Sequence, residues 1–264
     1  MQTLALVSAL LAACSSSVEP TGGSGGGGAG SGGAPGTGGQ GGSLPPEWSC
    51  VGEGFADQAS ATWTYRLNPI TTPEQLTVEL CAGADNACAN PIPAGLTGPD
   101  AAGIVTVEAQ PSFDGYLLIQ ATNLIPTRVI LPKAINTPFA QQDIALLSPA
   151  DFSTVLTAAG LTEQPGRCRV IAVGLGCDGV SARGLTFTAT PVDDQFELQY
   201  YRGQLPSPGA LDTDAQGAAL LLDLQPGEIT VTGSFGAPPT EFGARSATVV
   251  PDTLTYLLIA PSSG

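Results

Sequence analysis

Asp212, Asp214, Gln216 and Asp223 are the side chains whose types and spacing come nearest to a ligand chemistry. In Asp212-Thr213-Asp214-Ala215-Gln216-Gly217, oxygen-bearing side chains take the first, third and fifth positions and glycine the sixth. Asp223 falls at the twelfth, which is the spacing of a calcium-binding loop. Gln216 stands where Asp or Asn is usual, and Asp223 is shorter than the Glu that coordinates bidentately. No helices flank the loop. The same residues spell a hairpin turn in which aspartates accept backbone N–H groups and Gly217 takes a positive φ. The apolar strand that follows, residues 218–222, favours the turn, so no metal or other cofactor is expected.

Catalytic candidates are fewer still. Adjacent Asp193 and Asp194 would point to opposite faces of a strand and could not flank one bond, so they read as turn residues. Lys133, the only lysine, could serve a Ser–Lys dyad, but it follows Pro132 in a loop with no distinctive Ser partner. The chain has no histidine, which removes Ser–His and Cys–His nucleophile pairs and His-ligated metals. A hydrolase would need two converging carboxylates, and no motif supplies them. With 8 basic and 23 acidic residues and a net charge of −15, the surface repels phosphate backbones, so no nucleic-acid partner is expected.

The elements that must position these residues are short strands. Up to residue 147, alternating apolar residues predict strands at Thr62 to Leu67, Gln75 to Cys81, Ile104 to Ala109, Tyr116 to Ala121, Thr127 to Leu131 and Asp143 to Leu147. Leu76, Val78 and Leu80 share one face while Thr77 and Glu79 share the other, which implies a sheet with one wet side and therefore antiparallel pairing. The rhythm breaks at Ser148-Pro149, where an N-cap, a first-turn proline, Asp151 and a terminal Gly160 predict a short helix with Phe152, Val155, Leu156 and Ala159 in one stripe. Strands resume at Cys168 to Val173, Leu185 to Thr190, Phe196 to Arg202, Ala218 to Asp223, Glu228 to Phe235, Arg245 to Val250 and Leu254 to Ala260. The fold class expected is all-β: two tandem antiparallel sandwiches, residues 47–147 and 167–264, joined by a helical connector over 148–166.

The N-terminal stretch carries an address. Residues 1–14 form an apolar run too short to span a bilayer and end in Leu11-Ala12-Ala13-Cys14, which resembles a bacterial lipobox. The resemblance implies removal of residues 1–13, acylation of Cys14 and, with Ser15 after the Cys, the outer membrane of a Gram-negative cell. The stretch departs from the pattern in having no Lys or Arg near Met1. Residues 15–46, rich in Gly and Ser, cannot offset the entropy of ordering and read as a disordered tether about 30 residues long, spanning on the order of 30 Å. Gly25 to Gly28 lack the strand, helix and Lys of a phosphate loop.

In such an oxidising compartment the remaining cysteines default to disulfides. Cys81-Ala-Gly-Ala-Asp-Asn-Ala-Cys88 closes a short turn-forming loop, so Cys81 and Cys88 are the expected bridge; a zinc site lacks both His and a CxxC pair. Cys168 and Cys177 flank one strand and stand too far apart to bond unless Gly174 and Gly176 fold the chain back. Five cysteines after Cys14 leave at least one outside an intramolecular bridge. Among aromatics, Trp63 and Tyr65 share a strand face and read as core. Phe196, Leu198 and Tyr200 take the core face of their strand, which leaves Tyr201 more exposed.

Thr213-Asp214-x-x-Gly217, an apolar strand, then Gln225-Pro226-Gly227-x-Ile229-x-Val231 resembles the hallmark of carboxypeptidase regulatory-like domains, a transthyretin-like β-sandwich family. A softer echo runs from Pro99-Asp100-Ala101-Ala102-Gly103 through Ile104 to Ala109. Trp48-Ser49-Cys50, Phe113-Asp114-Gly115-Tyr116 and Gln199-Tyr200-Tyr201-Arg202 are similar to Gly-linker surface lipoproteins of Gram-negative bacteria. The resemblance implies fold and surface location and transfers no catalytic residue. The reading is a lipid-anchored, non-catalytic binding or structural module whose partners are the membrane, through Cys14, and an envelope protein or polysaccharide. A carbohydrate-binding or calcium-dependent adhesive module is the alternative, and a hydrolase the weaker one.

Overall fold

Strands buried along their whole length need cover on both faces, and the two longest such strands among the described residues are rich in leucine. All seven residues of Ala218–Leu224 and all six of Leu254–Ile259 are buried. A computed structural model describes residues 48–52, 61–69, 76–109, 113–132 and 140–261. In chain order the elements are β1 (Ala61–Pro69), β2 (Leu76–Ala82), β3 (Leu96–Thr97), β4 (Ile104–Ala109), β5 (Gly115–Ala121), β6 (Thr127–Ile130), β7 (Gln142–Leu146) and α1 (Pro149–Ala159). They continue with β8 (Cys168–Gly174), β9 (Leu185–Thr190), β10 (Glu197–Arg202), β11 (Leu205–Ser207), β12 (Ala218–Leu224), β13 (Gly227–Phe235), β14 (Thr240–Val249) and β15 (Leu254–Ile259). Among the described residues the structure is all-β apart from the one helix.

These strands make three sheets. An eight-stranded sheet, ordered β11-β10-β12-β8-β15-β6-β5-β2, lies between a four-stranded sheet, β3-β4-β1-β7, and a three-stranded one, β14-β13-β9. Alternation along the central strands divides the interior into two cores. Ile171, Leu220, Leu222, Tyr256 and Leu258 face a core shared with Trp63, Tyr65, Val105, Ile144 and the helix residues Phe152 and Leu156. Val170, Ala172, Ala219, Leu221, Leu257 and Ile259 face the other, with Phe187, Val231, Phe242 and Trp48. The phenol of Tyr256 donates to the Ala145 carbonyl at 3.0 Å, tying the central sheet to β7.

The last strand is where the structure departs from the expected side-by-side arrangement. β15 pairs parallel with β8 on one side and parallel with β6 on the other, so hydrogen bonds run continuously across the stretch 148–166 that the sequence marks as a boundary. β1 and β7 also pair parallel, which corrects the expectation of purely antiparallel sheets. The cause is two-sided burial. β15 has Leu254, Tyr256 and Leu258 on one face and Leu257 and Ile259 on the other, and such a strand is stable only in the middle of a covered sheet.

Local signals placed the helix correctly. Ser148 caps α1, its hydroxyl accepting from the Asp151 N–H while Asp151 reaches back to the Ser148 N–H, and Gly160 closes the other end. Phe152, Leu156 and Ala159 are buried and Val155 is half-buried. Two strands have no counterpart in the sequence reading, β3 and β11. Both are very short edge strands, and β11 carries Pro206, a residue that suits an edge. β14 begins at Thr240, earlier than the expected Arg245. The ring of Phe242 lies where a Cβ at Gly233 would sit, so this glycine admits the aromatic.

Candidate functional site

The Asp212–Asp223 segment folds as a hairpin and does not gather its oxygens. Asp212 accepts from Arg202 Nη2 at 2.7 Å, and its carbonyl accepts from Arg202 Nη1 at 2.6 Å. The Asp214 carboxylate accepts from the Gly203 N–H at 2.6 Å and the Gln216 N–H at 2.9 Å. Thr213 accepts from the Leu185 N–H and donates to the Ala182 carbonyl, both at 3.0 Å, closing the outer edge of β9 onto the loop. Gly217, with φ of 64°, takes the left-handed turn the sequence assigned to it. Asp223 sits at the far end of β12 in a bulge, 2% exposed, where it accepts from the Gln164 N–H at 2.8 Å. The calcium-loop spacing is therefore taken up by turn and bulge hydrogen bonds. Among the described residues no group of three or more Cys, Asp or Glu side chains is arranged to hold a metal ion.

Asp193 is a turn residue with a stitching role. Its carboxylate receives Arg167 Nη2 at 2.6 Å, Gln225 Nε2 at 2.7 Å and the Gln195 N–H at 3.1 Å. The Arg167 guanidinium, then the Gln225 amide, hold that carboxyl well below the usual carboxylate range. Asp194 stays exposed, so the two acids do not converge. Lys133 and Cys14 lie outside the described residues.

The aromatics order as their alternation implies. Trp63 and Tyr65 are core, 2% and 1% exposed. Tyr200 is buried and its oxygen accepts from the Phe187 N–H at 2.9 Å, covering more of the β9 edge. Tyr201 is the more exposed of the pair, as expected, but it is half-buried against the opposite core, and burial pushes its phenol far up. Among the described residues the large exposed apolar side chains are Val180, Val192 and Leu211, none of them aromatic.

The cysteines are spent on staples. Cys81 and Cys88 are bonded, and so are Cys50 and Cys177. Cys168 is a free thiol, 1% exposed, and burial pushes its pKa up to about 11. Two buried arginines that sequence reasoning passed over lock the first staple. Arg128 Nη1 donates to the Thr248 carbonyl at 3.2 Å, Nη2 donates to the Asn86 carbonyl, and the guanidinium lies 4.5 Å over the Tyr116 ring. The Tyr116 phenol donates to the Asp85 carbonyl at 2.6 Å. Arg245 Nη2 reaches Asp114 at 2.6 Å and the Leu131 carbonyl at 2.9 Å. Both clamp β14 to the central sheet beside the Cys81–Cys88 loop. The signal that could have found Arg128 is its place in the apolar strand Thr127–Ile130, where only a fully bonded cation is tolerated.

The second staple holds the entry of the chain. Trp48 stacks on Phe235 with ring centroids 4.7 Å apart and tilts against Phe242 at 5.0 Å. Two residues on, Cys50 bonds Cys177, just past the end of β8, and the Cys50 N–H donates to the Cys177 sulfur at 3.0 Å. The Leu175 N–H donates to the Ile259 carbonyl at 2.8 Å, so β15 ends at the same pole. A shallow cleft of about 280 Å³ opens here, lined by Gly176, Asp178, Val180, Ser181, Ala182, Arg183 and Ala215.

The geometry defines a class, a disulfide-stapled, layered all-β protein. No family model and no curated protein matches the chain. Among solved structures it is similar to a streptococcal ancillary pilin, at 10% identity over 76% of this chain and 68% of that one, with a TM-score of 0.25. It is similar to the shaft pilin SpaA of Lactobacillus rhamnosus GG, at 10% identity over 78% and 99% of the two chains, TM-score 0.24. A third is CBMbc, a CBM26-family module from Eubacterium rectale Amy13K solved with maltoheptaose, at 13% identity over 78% and 93%, TM-score 0.26. At these scores none assigns a ligand or an activity to the chain. Among the described residues no helix is long and apolar enough to cross a membrane.

Proposed function

We propose that the protein is a non-catalytic structural or binding module displayed at the bacterial envelope, anchored in the outer membrane through acylated Cys14 and carried on the 15–46 tether. The body comprises both sequence-defined halves, 47–147 and 167–264. The observation that supports this reading is the clip at Trp48 and Cys50. A tether arriving at Trp48 delivers any pull through Cys50–Cys177 to β8, an interior strand of the central sheet, rather than to a frayed end. Two disulfides fit a compartment outside the cytoplasm. The acids and arginines singled out above are committed to turns, bulges and clamps, which is what a scaffold requires and a hydrolytic site does not.

The test is fractionation of a Gram-negative host producing the full chain or its Cys14→Ala variant. The wild type partitions with the outer membrane and has a mature N-terminus at Cys14, while the variant keeps residues 1–13 and loses lipid labelling. Equal processing and equal partitioning of the two would rule out the anchor.

A further inference from the structure

The two disulfides occupy opposite environments. Cys81 is 0% exposed and Cys88 6%, and their loop is sealed by Arg128 on the Asn86 carbonyl and by the Tyr116 phenol on the Asp85 carbonyl. Cys50 and Cys177 are both part-exposed, in a turn and a loop. The stretch 48–52 is held by the Val51 N–H to Trp48 carbonyl turn at 3.1 Å, the Trp48 stack, the partial packing of Val51, the Cys50 N–H bond to the Cys177 sulfur at 3.0 Å, and the disulfide. No strand of the three sheets includes it. The free thiol Cys168 begins β8 whereas Cys177 follows its end, which separates them by roughly 20 Å at about 3.3 Å per residue, so Cys168 is no internal competitor for exchange.

We propose that Cys50–Cys177 is a redox-releasable clip, opened selectively by an external dithiol while Cys81–Cys88 stays closed, and that its opening frees Trp48 from the Phe235–Phe242 slot without unfolding the body. A thiolate of the dithiol attacks one sulfur of the Cys50–Cys177 bond, forming a mixed disulfide and expelling the other cysteine as a thiolate that takes a proton from water. The second thiol of the reagent attacks the mixed disulfide, frees the remaining cysteine and closes the reagent into its own disulfide. The dithiol gives up two electrons and two protons, and the cystine takes them. Both cores persist because neither depends on residues 48–52 for strand pairing. The slot left by Trp48 then presents Phe235 and Phe242 to solvent and uncouples the chain entry from β8. The geometry concerns the folded body, so the inference stands or falls independently of the anchor at Cys14.

The experiment treats the folded full chain, labelled with fluorotryptophan, with graded dithiothreitol under native conditions, followed by alkylation and peptide mapping. The expected result is labelling of Cys50 and Cys177 at least tenfold faster than of Cys81 and Cys88. In parallel one of the two fluorine resonances, assigned with Trp48→Phe, should move to a solvent-exposed shift while the Trp63 resonance and the far-ultraviolet circular dichroism hold. Equal opening rates for the two disulfides would overturn the proposal. So would reduction of Cys50–Cys177 only on global unfolding, or a Trp48 resonance unmoved after that bond is reduced.

Discussion

Leu220 and Leu221 are neighbours on β12 that face opposite cores, and truncating each in turn probes whether the layers fold together. Leu220 is 1% exposed and packs with the four-stranded sheet, while Leu221 is 0% exposed and packs with the three-stranded sheet. In a sheet with one wet face, one of two adjacent leucines would be solvated and its replacement by Ala nearly neutral. With both faces covered, each substitution removes a buried isobutyl group and leaves a cavity, which costs about 3 kcal/mol. For a body of this size that lowers the melting temperature by roughly 6–12 °C. The two tryptophans report the two cores, Trp63 on the Leu220 side and Trp48 on the Leu221 side. Fluorine spectra of fluorotryptophan-labelled protein, followed through a urea titration, should show both resonances losing native intensity at one midpoint. Leu221→Ala should move the Trp63 midpoint as far as the Trp48 midpoint. A Leu221→Ala protein whose Trp63 transition is unchanged, or a neutral substitution at either leucine, would refute the shared-sheet reasoning.

Two further outcomes follow from the committed side chains. Millimolar calcium should leave the melting temperature within about 1 °C of its value in EDTA, since specific binding well above the dissociation constant adds about 2.7 kcal/mol at a hundredfold excess; a rise of several degrees that Asp214→Asn abolishes would reinstate the calcium loop. Burial raises the Cys168 thiol from an ordinary 9.0 to about 11, so the folded state keeps a proton that the unfolded chain loses. That contribution is fully present below pH 9 and is lost as pH rises toward 11. The urea midpoint of the wild type should therefore fall more steeply across pH 9 to 11 than that of Cys168→Ala, and parallel profiles would show the thiol to be unperturbed.

Local patterns were legible because local physics decides them. The capping box at Ser148 and Asp151 and the stop at Gly160 fix α1 without help from the rest of the chain. Alternation located the longer strands, and the Asp214–Gly217 turn was readable because the aspartate bonds its own backbone two residues on. The Cys81–Cys88 loop was readable from its short separation of 7 residues. Cys50–Cys177, 127 residues apart, depends on the tertiary path and has no local signature. The apolar run 218–222 was read as a strand, but nothing local to it says that both its faces are covered or by which layers. Alternation likewise gave Tyr200 and Tyr201 opposite faces with Tyr201 the more exposed, and says nothing of the layer that half-covers Tyr201. Arg128 and Arg245 escaped notice because their partners, the Thr248, Asn86 and Leu131 carbonyls and the Asp114 carboxylate, come within reach only once the layers are stacked.

The continuous central sheet is the feature on which the rest depends, and the fragment 167–261 tests it most directly. Cut there, β8, β12 and β15 lose β6 on one edge and the four-stranded sheet and α1 from one face. Leu220, Leu222, Tyr256 and Leu258 would then all face water. The expected result is a fragment with no cooperative thermal transition and collapsed amide dispersion, which regains native dispersion when mixed with residues 47–166 under oxidising conditions. A fragment that melts cooperatively on its own, with a dispersed amide spectrum matching the full chain, would contradict the account and establish the second half as an independent domain.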